Sequence, residues 1–189
     1  QAGDHVVSNT LFDTTRANAE RLGARVIDLP QPGMLDPEDA SGLKGGIDLE
    51  RLATTLARHP VRLVVLTCPS NSMGGHPVSL ENVRATAALC GKHGVPLFID
   101  AARFAENAAM LARREPLCAG RSARDIAQAI FACADGCLMS AKKDGLAHIG
   151  GFVALRDAAL AERIKVNLTV TEGFETYGGL AGRDLDAIA

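Results

Sequence analysis

Apolar, β-branched runs alternate with helix-like stretches along this chain, and within each run the apolar residues follow one another instead of alternating with polar ones. Continuous runs of this kind are expected for parallel strands covered on both faces. The strand candidates are "HVVSN" (5–9), "ARVIDL" (24–29), "VRLVVLTC" (61–68), "VPLFIDA" (95–101), "GCLMS" (136–140) and "GGFVAL" (150–155). Helical patterns fall near 10–22, 48–58, 79–93, 102–114, 122–134 and 156–165. Asp48, Ser79 and Ser122 stand where a helix needs an acceptor for its first N–H groups. The fold class expected is α/β, a mainly parallel sheet with helices on both faces. Residues 30–47 hold three prolines and four glycines and predict a surface excursion.

Composition narrows this picture without changing it. At 189 residues, 47% hydrophobic and a net charge of -2, the chain is long enough for one core and carries no excess charge for a nucleic acid. No apolar run approaches the roughly 18–20 residues of a membrane span. Neither a nucleic acid nor a membrane is therefore expected as a partner, and a cytoplasmic location is the default. The five cysteines, Cys68, Cys90, Cys118, Cys133 and Cys137, form no CxxC pair and are read as reduced, mostly buried thiols. The chain starts at Gln1, and Asp184, Leu185 and Ile188 start a helical pattern just before its end. The expectation is a single domain over 1–189, the central part of a larger domain truncated at both ends.

In an open parallel sheet, ligands bind at the carboxyl ends of the strands. Asn71, Gly74, Gly75 and His76 follow the third run, Asp100 and Arg103 follow the fourth, and Ser140, Lys142, Lys143 and Asp144 follow the fifth. Each has a plainer reading. Asp100 could cap the next helix, Arg103 could decorate its first turn, Asn71 and the glycines could be turn chemistry, and the Lys-Lys-Asp run could be a solvated loop. His76, His93 and His148 lack metal-ligand spacing, so no metal site is expected. Taken together, a strand-terminal Asp, a lysine after another strand and a nearby Arg are the parts a pyridoxal phosphate site requires. A lysine amine beside a second positive charge has a lowered pKa and serves as nucleophile and base. No GxxxxGK[ST], dinucleotide fingerprint after a strand, or GxSxG elbow competes with this reading.

"FDTTRANAE" (12–20), "NSMGGHPVSLENVRA" (71–85), "DAARFAENA" (100–108), "MSAKKD" (139–144), "IGGF" (149–152) and "TYGGLAGRDLDAIA" (176–189) resemble the β-eliminating lyases, the tryptophanase and tyrosine phenol-lyase family. The resemblance implies the large domain of fold-type I pyridoxal phosphate enzymes. It makes Lys143 the residue that binds the cofactor aldehyde and acts as general base, with Lys142 its charged neighbour. Ser140 matches a phosphate contact, Asp100 the partner of the pyridine nitrogen, and Asn71 and Arg103 the pair bonded to the ring's phenolic oxygen. The implied activity is that of a carbon–carbon lyase of amino acid catabolism, turning tryptophan into indole, or tyrosine into phenol, with pyruvate and ammonia. Potassium or a similar monovalent cation and a homotetramer are implied for the full enzyme. The resemblance places the phosphate loop, the ring-stacking aromatic and the proton-donating tyrosine upstream of this chain, and the substrate-carboxylate arginine downstream. Two other readings stay open: another fold-type I enzyme, an aldolase or transaminase, or an inactive fragment that lacks a complete site.

Overall fold

In the computed structural model the described residues are 3–40, 42–174 and 176–189. Gln1, and Ser41 within the 30–47 segment, lie outside them. Each expected strand is found: β1 (His5–Ser8), β2 (Arg25–Asp28), β3 (Val61–Thr67), β4 (Leu97–Asp100), β5 (Gly136–Ser140) and β6 (Gly151–Leu155). They form one sheet in the order β2-β1-β3-β4-β5-β6. The first five pair in parallel, and β6 returns antiparallel to β5. Only the loop 141–150 joins those two, too short for the helical crossover a parallel return would need.

The helices follow the same pattern: α1 (Asp13–Arg21), α2 (Leu49–Arg58), α3 (Leu80–His93), α4 (Phe104–Arg114), α5 (Ala123–Ala132) and α6 (Ala158–Thr171). Asp48, Ser79 and Ser122 accept bonds from the first turns of α2, α3 and α5. The sixth helix outruns its expected end at 165, since no glycine or proline interrupts it before Gly173. A short hairpin, β7 (Gly173–Phe174) and β8 (Tyr177–Gly178), leads to α7 (Gly182–Ile188). There Ala181 is the N-cap and Asp184 lies inside the first turn, not before it.

Right-handed crossovers decide which face each helix covers. The chain moves one way from β1 to β2 and the other way from β2 through β5, so α1 lies opposite to α2, α3, α4 and α5. Alternation along the strands then fills two layers. Val7, Val64, Leu66, Leu97 and Ile99 enter the large core under α2–α5, with Leu52, Leu80, Leu111 and Ile126. Val65 and Phe98 point to the other face, where Leu11 and Leu160 join a much smaller cluster.

The segment 30–47 is a surface excursion only in part: residues 35–38 are exposed, but 44–47 fold into the core. Met34, Lys44 and Ile47 are buried. The Lys44 ammonium donates to the carbonyl oxygens of Asp36 (2.6 Å) and Asp39 (2.7 Å), which wraps the loop around the charge. Three buried asparagines supply the strand-like partners that loops lack. Asn9 bonds both the N–H and the C=O of Thr67 and reaches Gly45 O. Asn82 does the same for Ile47, and Asn107 for Val78.

Candidate active site

The strand order reverses between β1 and β3, and their carboxyl ends open into a cavity of about 990 Å³ that extends over the ends of β4 and β5. Asn71, Asp100, Arg103, Ser140, Lys142 and Lys143 all line it. Sheet register delivers three strand ends side by side: Thr67 pairs with Asp100, and Asp100 with Leu138, two residues before Ser140.

Asp100 is 7% exposed, and its carboxylate accepts a 3.3 Å bond from the Ala102 N–H. Burial pushes its pKa above the usual carboxylate range, while that bond and the charges of Lys143 and Arg103 pull it back down. It does not cap α4. The N–H groups of Ala105 and Glu106, in that helix's first turn, instead donate to Asp144 Oδ2 at 2.7 and 3.3 Å. Asp100 is thereby left facing the cavity.

Arg103 is the residue before α4, and its guanidinium donates to Asn71 Oδ1 at 2.6 Å. Asn71 opens a 3-10 turn that ends at Gly74, where φ is 81° and a side chain would be strained. Lys143 Nζ donates to Ser140 Oγ at 2.9 Å, so the half-buried amine and the hydroxyl meet at the end of β5. Lys142 is exposed at the cavity rim. Cys68 also lines the cavity, but burial and the Asp100 charge push its thiol up, so it stays protonated and is a poor nucleophile.

The comparisons with known proteins bear on this geometry directly. The β-eliminating lyase family model matches residues 2–184. The chain belongs to the β-eliminating lyase family. It is 50% identical over 191 residues to a tryptophanase of Hyphomonas neptunium, a match that covers 100% of this chain and 42% of that relative. A tryptophanase of Rhodobacter capsulatus is 50% identical over 189 residues, 99% of this chain and 42% of the relative. A tyrosine phenol-lyase of Pasteurella multocida is 38% identical over 190 residues, again 99% and 42%. The chain thus spans about two fifths of the length of the curated relatives it matches. Among solved structures, a pyridoxal phosphate-bound aminotransferase-like protein of Clostridium difficile superimposes with a TM-score of 0.65 at 15% identity, over 100% of this chain and 44% of that one. At that identity the likeness shows the fold alone, that of fold-type I large domains.

Beyond the expected residues, this lyase-family chain brings Phe12, Thr14 and Thr15 to the cavity. They follow β1, and the strand-end rule applied to "HVVSN" would have found them. Phe12 is thus an aromatic residue at the cavity from within the chain, besides the ring-stacking aromatic that the resemblance sets upstream. The far wall comes from Ile149–Val153, from Ile164 and Leu168 of α6, and from Leu180. Residues 149–152 and Leu180 fall in motifs of the resemblance, but no sequence signal places any of these residues at the cavity. They become neighbours only because β6 turns back beside β5.

Proposed function

We propose that the cavity binds pyridoxal phosphate on Lys143 and that the full-length protein eliminates the aromatic group of tryptophan or tyrosine, releasing indole or phenol with pyruvate and ammonia. The observation that carries this is the meeting of Lys143, Ser140, Asp100, Arg103 and Asn71 in one cavity of a β-eliminating lyase chain. The donor set fits the cofactor. Lys143 would hold its aldehyde carbon, Ser140 its phosphate, Asp100 its ring nitrogen, and the bonded pair Arg103 and Asn71 its phenolic oxygen.

When bound, pyridoxal phosphate supplies an electron sink for the pair left behind as the α-proton departs, which lets the aromatic substituent leave. The residues of the chain do the rest. A buried carboxylate whose pKa is raised gains strongly from a cation placed against it, so Asp100 holds the proton on the ring nitrogen. Lys143 would take the α-proton at Nζ, with Ser140 Oγ 2.9 Å away to orient the amine. Phe12 would pack against planar rings, and Ile164 and Leu168 add apolar surface to the cavity wall.

A monovalent cation such as potassium, a homotetramer and a cytoplasmic setting belong to the same proposal. The cation and the tetramer follow from the resemblance, and the five free thiols suit a reducing compartment. Among the described residues no helix is long and apolar enough to cross a membrane. An aldolase or transaminase reading has only the shared fold behind it.

Two measurements test the proposal together. Purified full-length protein with pyridoxal phosphate should release pyruvate with indole from tryptophan or with phenol from tyrosine. Borohydride reduction of the loaded protein should label the peptide at Lys143. Label on Lys142, or transamination without elimination, would refute it.

A further inference from the structure

Asp144 has no part in the proposed chemistry, yet it is the residue through which the lysine loop meets the rest of the site. The first N–H groups of a helix have no acceptor within the helix. In α4 the residue before the helix, Arg103, offers no side-chain acceptor of its own. The acceptor arrives from 39 positions later, where one oxygen of Asp144, Oδ2, takes the N–H of Ala105 at 2.7 Å and that of Glu106 at 3.3 Å. The Asp144 N–H donates in return to Ala102 O at 3.2 Å. One residue thus clamps the loop to the segment 102–106 by side chain and main chain together.

The residues on either side of this clamp belong to the site. On one side Lys143 is covalently next to Asp144, and its carbonyl accepts the Leu146 N–H at 2.9 Å to close the turn. On the other side Asp100 and Arg103 lead into α4. The turn has little freedom of its own, since a Cβ on Gly145 would lie 2.8 Å from Ala141 O and Leu146 has a φ of 54°. A small displacement at Asp144 is therefore passed to the lysine.

We infer that Asp144 is a positioning residue: it fixes the Lys143 amine against Asp100 and Arg103 by serving as the N-terminal cap of α4. The inference rests on the proposed role of Lys143. It concerns where the carboxylate oxygen lies and not its charge. Because both bonds fall on one oxygen, an amide oxygen can replace it.

Asp144→Asn and Asp144→Glu separate the two contributions. Asn keeps an oxygen at the same reach without the charge, and Glu keeps the charge but moves the oxygen by one methylene. Three readouts are taken on the purified full-length protein freed of cofactor. They are amide exchange at Ala105 and Glu106, acetylation of Lys143 by a trace amine reagent, and borohydride trapping of added pyridoxal phosphate at Lys143. Asp144→Asn should match the unsubstituted protein in all three. Asp144→Glu should lose amide protection, acetylate several-fold faster as the loop loosens, and trap the cofactor about 100-fold more slowly, the penalty of roughly 1 Å of misplacement.

If Asp144→Glu exposes the two amides but leaves both lysine reactions unchanged, Asp144 is only a helix cap and the inference is overturned. If Asp144→Asn fails as badly as Asp144→Glu, charge and not position is responsible, and it is overturned again. A protein that traps no cofactor at Lys143 even when unsubstituted refutes the proposed function, while exchange and acetylation still decide the role of Asp144.

Discussion

At the scale of single residues, Asp100 shows the tension between stability and chemistry. Its pKa in the folded protein lies above the ordinary carboxylate value, chiefly because it is buried. Between those two values the folded chain binds more protons than the unfolded one, so stability falls as pH rises through that window and stays lower above it. Without cofactor, Asp100→Asn should therefore melt a few degrees higher than the unsubstituted protein at neutral pH. The gain should shrink as the pH is lowered and vanish only below about 4, where the unfolded carboxyl also becomes neutral. Thermal unfolding at several pH values checks this, and a lower melting temperature for Asp100→Asn at neutral pH would contradict it. The same site illustrates what a sequence hides. Asp100 was legible as a strand-terminal carboxylate, but whether it caps α4 or faces the cavity depended on Asp144, whose bonds to Ala105 and Glu106 no spacing rule reveals.

At the scale of elements, helix starts divide into two kinds. The Asp48, Ser79, Ser122 and Asp157 caps are local, reaching two or three residues along the chain, and such residues are found by pattern. The caps supplied by Glu115 and Asp144 are remote. Glu115 is 5% exposed, and its two oxygens accept the Leu80 N–H at 2.9 Å and the Glu81 N–H at 3.1 Å at the start of α3. Its removal leaves the buried Leu80 N–H without water to replace the acceptor. Glu115→Ala should cost roughly 1–3 kcal/mol, since unpaired buried donors carry their full desolvation penalty. Asp48→Ala, at an exposed helix start, should cost about 1 kcal/mol. Urea unfolding midpoints compare the two, and a loss for Glu115→Ala no greater than that for Asp48→Ala would sink the distinction.

At the scale of the whole molecule, the two ends of the sheet are unequal. The face under α2–α5 is well filled, whereas β6 is exposed along most of its length and α6 has no buried residue. Phe152 is 47% exposed and Val170 88%. Exposed apolar surface mediates association when it forms a patch, and among the described residues no strand pairs with the outer side of β6. Residues 1–189 expressed alone should therefore self-associate and bind a hydrophobic dye. Light scattering and dye fluorescence give the answer, and a stable monomer with no dye response would show that the C-terminal third packs better than its exposure indicates. Such a fragment should also hold pyridoxal phosphate weakly, because the wall formed by β6, α6 and Leu180 is the least supported part of the cavity.

The sequence by itself determined the order and type of the six sheet strands and the helices between them, because hydrophobic runs, turn residues and local caps act within a few residues of one another. It also determined which strand ends line the cavity, and through its motifs the family. Tertiary structure alone decided three things. It buried Lys44 in a loop whose prolines and glycines read as surface, because two carbonyl oxygens could surround the ammonium. It added the α6 wall to the cavity, because β6 turns back beside β5 and α6 follows it. It gave α4 its cap from Asp144, because burial makes the nearest available acceptor in space, not in sequence, the one that satisfies a helix start.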